Sequence, residues 1–408
     1  MAVILGGCWG TEGTSPPTPS EAPRSPLVER IDGALHRASR FLVAQQGADG
    51  AFRSSTYGAF KDGYSLTPLA VNALLFAPPD PNAQQAYRQG SAFIATVVME
   101  DGALRSGLEG PTYPLYAIAG GLLVLNQKPA QGQFERQRQA LVALLRERQM
   151  TEERGWNVDD PAYGGWGYHR GIPHKPKPGQ PRSSTLTANL SATLFAVGAL
   201  RLSGVSPDDP AMKSALQFVE RCQNVGSREP ELNDGGFVFS PELDDGNKAG
   251  PAGVDAQGRK RFRSYGSMTA DGVRALVRLG RSVDHPRVKA AAAWLANHFE
   301  AERNPGTFPE RDEVRRRSSY FYYVWSVSHA LRLLGETRLE RGGSGAAVVW
   351  PEALAEALLA QQRDDGSWAN TATEMREDDP LIATSFAMAG LAISRMVLTS
   401  EWRTVFGN

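Results

Sequence analysis

The chain has 408 residues and a mass of 44.2 kDa, longer than a single hydrophobic core usually grows. Its 44 Lys and Arg balance 44 Asp and Glu, so it lacks the basic surface with which nucleic-acid-binding proteins neutralise phosphates. With only Cys8 and Cys222, a disulfide framework and a cysteine-rich zinc site are excluded. The 42 glycines and 27 prolines suit many short elements separated by turns. In the long uncharged run 110–127, only Leu115 to Leu125 is continuously apolar, which predicts a core helix too short to span a bilayer.

In chain order, the first segment reads as a processing signal. Leu5-Gly6-Gly7-Cys8 looks like the lipobox of a bacterial lipoprotein. Cys8 would then carry lipid, and the Pro/Ser/Thr-rich stretch Thr11 to Pro26 would be a flexible membrane tether. The apolar segment is short and no basic residue precedes it, so the expected true start lies upstream. That implies a cell-envelope location on the periplasmic side, with the cytoplasm as the alternative. Residues 1–27 and 401–408 are expected to lie outside a single folded unit at 28–400.

An internal repeat organises that unit. Gln46, Gly50 and Phe52 in RFLVAQQGADGAF match Gln362, Gly366 and Trp368 in LLAQQRDDGSW at identical spacing. Weaker copies contain Gly102, Gly165-Trp166 after Gln149, Gly236-Phe237 after Gln223, and Gly306 with Phe308. An amphipathic helix precedes each glycine turn, as Ile31, Leu35, Ala38 and Leu42 show in the first unit. A nearly uncharged helix follows: Leu66–Phe76, Tyr116–Leu125, Leu190–Leu200, Met268–Leu279, Tyr322–Leu334 and Ile382–Leu391. Thr185, Ser267 and Thr384 are expected N-caps. Helices apolar all round belong inside and amphipathic ones outside. The expected fold is therefore all-α, an (α/α)6 toroid of six hairpins with inner and outer rings.

The glutamine–glycine–aromatic turns resemble the QW repeats of squalene–hopene cyclases and their prenyltransferase relatives, a likeness that covers residues 28–400. That resemblance implies a dry central cavity for an isoprenoid or other hydrophobic molecule. It also implies an acid that protonates an alkene or epoxide, and aromatic faces that stabilise carbocations. The zinc site of protein prenyltransferase β-subunits has no match, because Cys222 falls on an outer helix and His329 is the one histidine on an inner helix. The thioester motif Cys-Gly-Glu-Gln is absent, and so is the second domain of full squalene cyclases. Neither a metal nor a cofactor is expected.

The resemblance asks for an Asp-x-Asp-Asp acid motif at the mouth of an inner helix. Asn157-Val158-Asp159-Asp160 begins with Asn and falls in an outer loop, so it reads as a turn. Asp378 and Asp379, directly before the sixth inner helix, are better placed. Their competing reading is dipole complementation at a helix N-terminus. Asp271 is the third candidate acid, an apolar-helix carboxylate that either holds a raised pKa or pairs with Arg274 at i+3. Tyr322, Tyr323 and Trp325, with Trp166 and Tyr168, are the candidate ligand-binding aromatics. The basic loop His169 to Arg182 and the run Arg315-Arg316-Arg317 are possible anion contacts, with a solvated surface as the alternative.

These readings converge on a terpenoid-cyclase-like protein that binds an isoprenoid, with cyclase- or isomerase-type activity if it is an enzyme. The alternative is a non-catalytic scaffold that holds a protein or glycan at its rim. A polysaccharide-degrading toroid would need a polar lumen, which the apolar inner helices disfavour.

Overall fold

The computed structural model describes residues 25–106, 110–180, 183–227, 229, 232–242, 246–341 and 346–400. Cys8, the 401–408 tail and Arg182 lie outside the described residues.

The described chain is mostly helical. Outer helices are α1 (Pro26–Gln45), α3 (Pro81–Ala95), α5 (Glu135–Arg146), α7 (Pro210–Arg221), α9 (Pro286–His298) and α12 (Trp350–Leu359). Between them run α2 (Thr67–Leu74), α4 (Pro114–Leu125), α6 (Leu190–Leu202), α8 (Gly266–Arg278), α11 (Tyr320–Leu334) and α13 (Pro380–Leu398). A short α10 (Glu313–Arg317) leads into α11, and two small antiparallel hairpins interrupt the helical pattern: Pro251–Val254 with Lys260–Phe262, and Arg338–Leu339 with Val348–Val349.

Burial explains the two layers. On α1 only one stripe is buried, with Val28, Ile31, Ala34, Leu35, Ala38 and Leu42 at helical spacing. On α4 nearly every residue from Leu115 to Leu125 is buried. Helix α13 is long and apolar enough to cross a membrane, but it packs inside the protein against α11, α12, α1 and α2. The second set of helices touches in the order α2, α4, α6, α8, α11, α13 and back to α2. Helices α2, α4, α6, α8 and α13 also pack on outer neighbours, the arrangement of an α/α toroid.

Four glutamines join the units in one way. Gln46 Nε2 donates to Gly50 O and, in the following outer helix, to Ala86 O, both at 2.8 Å. Gln149 bridges Gly164 O and Ala211 O at 2.8 Å each, and Gln223 bridges Gly235 O (2.9 Å) and Arg287 O (2.8 Å). Gln362 bridges Gly366 O (3.0 Å) and Ala34 O (2.9 Å), so the last unit is tied to the first. The same seam carries the Arg30–Glu356 ion pair at 2.8 Å and an Arg395–Asp32 pair.

Two expectations shift at these turns. The left-handed glycines of the third and fourth units are Gly164 (φ 84°) and Gly235 (φ 80°), one residue before the expected Gly165 and Gly236. This restores the Gly-x-aromatic register of Gly50 and Gly366. The helix caps also differ. Asn189 and Asp379 cap α6 and α13, accepting from Ala192 N (2.8 Å) and Leu381 N (2.9 Å). Thr384 lies inside α13, where its hydroxyl accepts from Trp368 N at 3.0 Å. Thr67, Thr193 and Thr269 serve Phe52, Trp166 and Phe237 likewise, because a buried turn must satisfy its amide.

Candidate functional site

Side chains from the N-terminal halves of five inner helices meet in the ring. Ser191 and Phe195 come from α6, Asp271 from α8, Tyr322, Trp325 and Ser326 from α11, Phe386 from α13 and Tyr116 from α4. Tyr322 Oη donates to Asp271 Oδ2 at 2.6 Å and shares a 2.6 Å hydrogen bond with Ser191 Oγ. Ser326 Oγ donates to Asp271 Oδ1. Ser191 Oγ approaches Oδ2 at 3.4 Å, and Arg274 Nη1 lies 3.6 Å from Oδ1. Asp271 is fully buried, and burial raises its carboxyl pKa against the opposing pull of Arg274 and the three hydroxyls.

Aromatic rings line the space around this carboxyl. Phe195 and Trp325 stack at 5.4 Å, and Trp325 and Tyr322 each meet Phe386 at 5.4 and 5.5 Å. Tyr116 meets Phe195 edge-on at 5.3 Å, and its hydroxyl bonds that of Tyr168 at 2.8 Å. Tyr116, Tyr168, Phe195, Tyr322 and Trp325 keep accessible surface. The three tyrosines among them are nonetheless enclosed deeply enough that burial raises every phenol pKa, Tyr116 to about 12. Side chains that are enclosed yet accessible line an internal space. Arg274 lays its guanidinium 4.0 Å from the centre of the Trp325 ring, which occupies one of its faces.

The mouth is built separately. Arg376, in the left-handed region at φ 63°, sits 5.1 to 5.4 Å from the rings of Phe60, Tyr57 and Tyr113. Behind it Glu377 is buried and accepts from Phe321 N (2.9 Å) and Tyr322 N (2.8 Å), closing the N-terminus of α11. Burial pushes Glu377 up to about 8, while burial pulls the enclosed Lys248 ammonium down to about 8.

The expected site residues divide accordingly. Asp271, Tyr322, Trp325 and Tyr168 come together. Asp378 instead accepts from Tyr57 Oη at 2.6 Å at the mouth, and Asp379 caps α13 through Oδ1, with its buried Oδ2 making no hydrogen bond. Tyr323 turns outward and donates to Glu300 O at 3.0 Å, a consequence of the 100° step from Tyr322. Trp166 is a turn aromatic, fully buried with Nε1 donating to Leu145 O at 2.8 Å, because it belongs to the repeat and not to the lumen. Three residues of the basic features are paired. Lys175 pairs with Asp160 at 2.6 Å, while Arg315 and Arg316 pair with Asp312 (3.6 Å) and Glu313 (3.2 Å). Sequence reasoning missed Tyr116, Phe195 and Phe386, although Ser191/Phe195 and Tyr322/Trp325/Ser326 carry the i, i+3, i+4 spacing of one helix face.

No protein-family model matches the chain, and no curated protein matches it in sequence. Solved structures do. A substrate complex of an arginine-to-alanine variant of type II terpene cyclase MstE from Scytonema superposes with a TM-score of 0.56 at 14% identity, covering 91% of this chain and 99% of that one. A product complex of the same cyclase with merosterolic acid A gives 0.53 at 15% identity over the same shares. A protein from Actinoplanes gives 0.52 at 16% identity, covering 90% and 99%. The chain thus has the α/α toroid fold shared by squalene–hopene-cyclase-like proteins.

Proposed function

We infer that the chain is an (α/α)6 toroid that takes an isoprenoid or similar hydrocarbon chain into its centre and isomerises or cyclises it by acid initiation. The observation that carries this is Asp271, a buried carboxyl that Tyr322 hydrogen-bonds within a cluster of rings to which Phe386, Phe195 and Tyr116 belong. Support for the class comes from the fold, since the terpene cyclase MstE binds geranylgeranyl dihydroxybenzoate on the same architecture.

In this reading, burial keeps a proton on Asp271 to higher pH than on an exposed aspartate. The carboxyl gives that proton to a terminal alkene carbon. The π pair becomes the new C–H bond, and the adjacent tertiary carbon takes the positive charge. Arg274 already covers Trp325, so the cation develops toward the mouth, over Tyr322, Phe386 and Phe195. The rearranged cation ends the reaction by giving up a C–H proton, whose electron pair becomes the new alkene, and that proton returns to the Asp271 carboxylate, so the change is an isomerisation that needs no co-reactant. Tyr322 and Ser326 receive the carboxylate left behind, and their hydroxyls orient the acid between turnovers.

The test is incubation of the full chain with farnesyl, geranylgeranyl and squalene-type polyenes, with mass-spectrometric search for products isomeric with the substrate. Such products from the wild type and none from Asp271→Asn support the reading. Binding that leaves the polyene unchanged would move the protein to the scaffold alternative.

A further inference from the structure

One buried polar group on the inner face of α11 is used neither by the repeat nor by the chemistry above. Tyr322, Trp325 and His329 fall at i, i+3 and i+7, one face of the helix. His329 is 5% exposed, and the ring of Phe76, just past α2, meets its imidazole edge-on at 6.2 Å. Helix α13 separates α2 from α11 in the ring, so this contact is made across the inside. Trp325 lies against the imidazole as well, with ring centroids 5.5 Å apart.

The imidazole has one nitrogen committed and one free. Nδ1 lies 2.8 Å from Trp325 O, and a carbonyl can only accept, so Nδ1 carries the proton. Burial, with repulsion from Arg274, holds the ring neutral, which leaves Nε2 a bare acceptor. Nε2 hydrogen-bonds no described residue, and it is not one of the orphan atoms sealed away from any probe of water size. It therefore keeps a little surface inside the ring. An enclosed acceptor without a donor costs stability, and proteins rarely leave one unanswered. The donor that answers it must be neutral, because Arg274 repels an ammonium that would also have to shed its water. An ionised carboxylate or phosphate has no proton to give. A hydroxyl is the smallest neutral donor, and it suits a surrounding of rings.

We propose that His329 is a specificity position, whose Nε2 accepts the O–H of an alcohol carried by a hydrocarbon ligand. That the hydrocarbon is an isoprenoid lying along Trp325, Phe195 and Phe386 rests on the function proposed above; the hydroxyl contact does not. His329 is seven residues beyond Tyr322, about 10 Å further along α11. A hydroxyl held at Nε2 therefore leaves the other end of the chain beside the acid that Tyr322 bonds. The substrate class that follows is an unsaturated alcohol, bound hydroxyl end first.

Calorimetric titration of the full chain with geranylgeraniol, its methyl ether, geranylgeranoic acid, hexadecan-1-ol and the methyl ether of hexadecan-1-ol tests this. Geranylgeraniol should bind about tenfold more tightly than its ether, the worth of one enclosed hydrogen bond. His329→Phe keeps a ring but has no acceptor, and should bring the alcohol down to the ether. His329→Gln should keep part of the preference through its amide oxygen. In nitrogen-15 spectra of the wild type, the His329 Nε2 resonance should move when the alcohol binds and stay in place with the ether, which a purely structural histidine would not do. That measurement decides the matter if the phenylalanine variant folds poorly. Equal affinity for alcohol and ether, a preference that survives His329→Phe, or an Nε2 resonance that ignores the alcohol would overturn the proposal. Tighter binding of the acid, with His329 turned into imidazolium, would overturn it too. If hexadecan-1-ol outbinds its ether through His329 while no isoprenoid binds, the hydroxyl contact stands and the isoprenoid reading falls. If neither alcohol binds, the hydroxyl contact is overturned.

Discussion

Tyr322 Oη stands 2.6 Å from Asp271 Oδ2, a contact between α11 and α8 made inside the ring. A phenol that donates to a carboxyl stabilises its ionised form, so the tyrosine tempers the acidity that burial sets. Tyr322→Phe keeps the ring and removes this donor. The proton on Asp271 should then persist to higher pH, and the alkaline limb of the rate profile should move upward, with turnover falling about tenfold from lost positioning. A profile unchanged by Tyr322→Phe would separate the tyrosine from the acid. Asp271→Asn should abolish turnover while leaving the fold helical by circular dichroism.

The same aspartate has a structural partner. Arg274 is buried beside it, and removal of one member of a buried pair leaves the other uncompensated. Asp271→Asn should therefore lower unfolding stability by about 3 kcal/mol. Arg274→Met in the same chain should restore most of that loss without restoring activity. If the double variant regains no stability in urea titration, the two residues are not coupled as their geometry requires.

Glu377 gives the protein a pH dependence of known sign. Its ordinary value of 4.5 rises to about 8 through burial, so the folded state holds a proton that the unfolded chain releases. The stabilisation is complete below pH 4.5 and is lost as pH climbs to about 8. Lys248 acts oppositely: its pKa drops from 10.5 to about 8, so its stabilisation is present above pH 10.5 and lost as pH falls through 8. Thermal melts should pass through a minimum near pH 8. Glu377→Gln should flatten the acid side of that curve, and a wild-type melting point that rises steadily from pH 5 to 8 would contradict the assignment.

Much of this fold is legible because its signals are local and repeated. The spacing of Gln46, Gly50 and Phe52 returns in Gln362, Gly366 and Trp368, and all-round apolar segments identify the helices that lie inside. The site is less legible because the ring assembles it across units. Ser191, Asp271 and Tyr322 are separated by 80 and 51 residues, and no local pattern joins them. Asp378 and Asp379 attracted attention through their position before a helix, and that position gives Asp379 Oδ1 a capping bond and Asp378 a contact with Tyr57.

Gly164 tests the repeat register. It adopts φ 84°, and a Cβ there would lie 1.9 Å from Ser214 O in α7. Gly165 has no left-handed angle, but its Cβ would meet Ala188 at 2.6 Å. Gly164→Ala should cost at least about 2 kcal/mol, through left-handed strain and displacement of a helix backbone. At Gly102 the angle is the same but the space is open, so Gly102→Ala should cost only the conformational part, about 1 kcal/mol. Equal losses in denaturant would mean that close approach to α7 is not what the third turn requires.

The seam between the last and first units is the place where a closed ring differs from an open stack. Gln362 Nε2 reaches both Gly366 O (3.0 Å) and Ala34 O (2.9 Å), while its Oε1 accepts from Arg37 Nε at 3.1 Å. Gln362→Ala removes these bonds and leaves two carbonyls short of a donor, a loss of about 2 kcal/mol. The distribution of the effect matters more than its size. In a closed ring α1 is held by α3 on one side and α12 and α13 on the other, so hydrogen exchange should quicken along both α1 and α12. The equivalent Gln223→Ala, between α7 and α9, should quicken exchange there and leave α1 protected. If Gln362→Ala speeds exchange only within its own turn and α1 keeps its protection, the seam does not depend on this glutamine, and the Arg30–Glu356 and Arg395–Asp32 pairs would have to hold it closed.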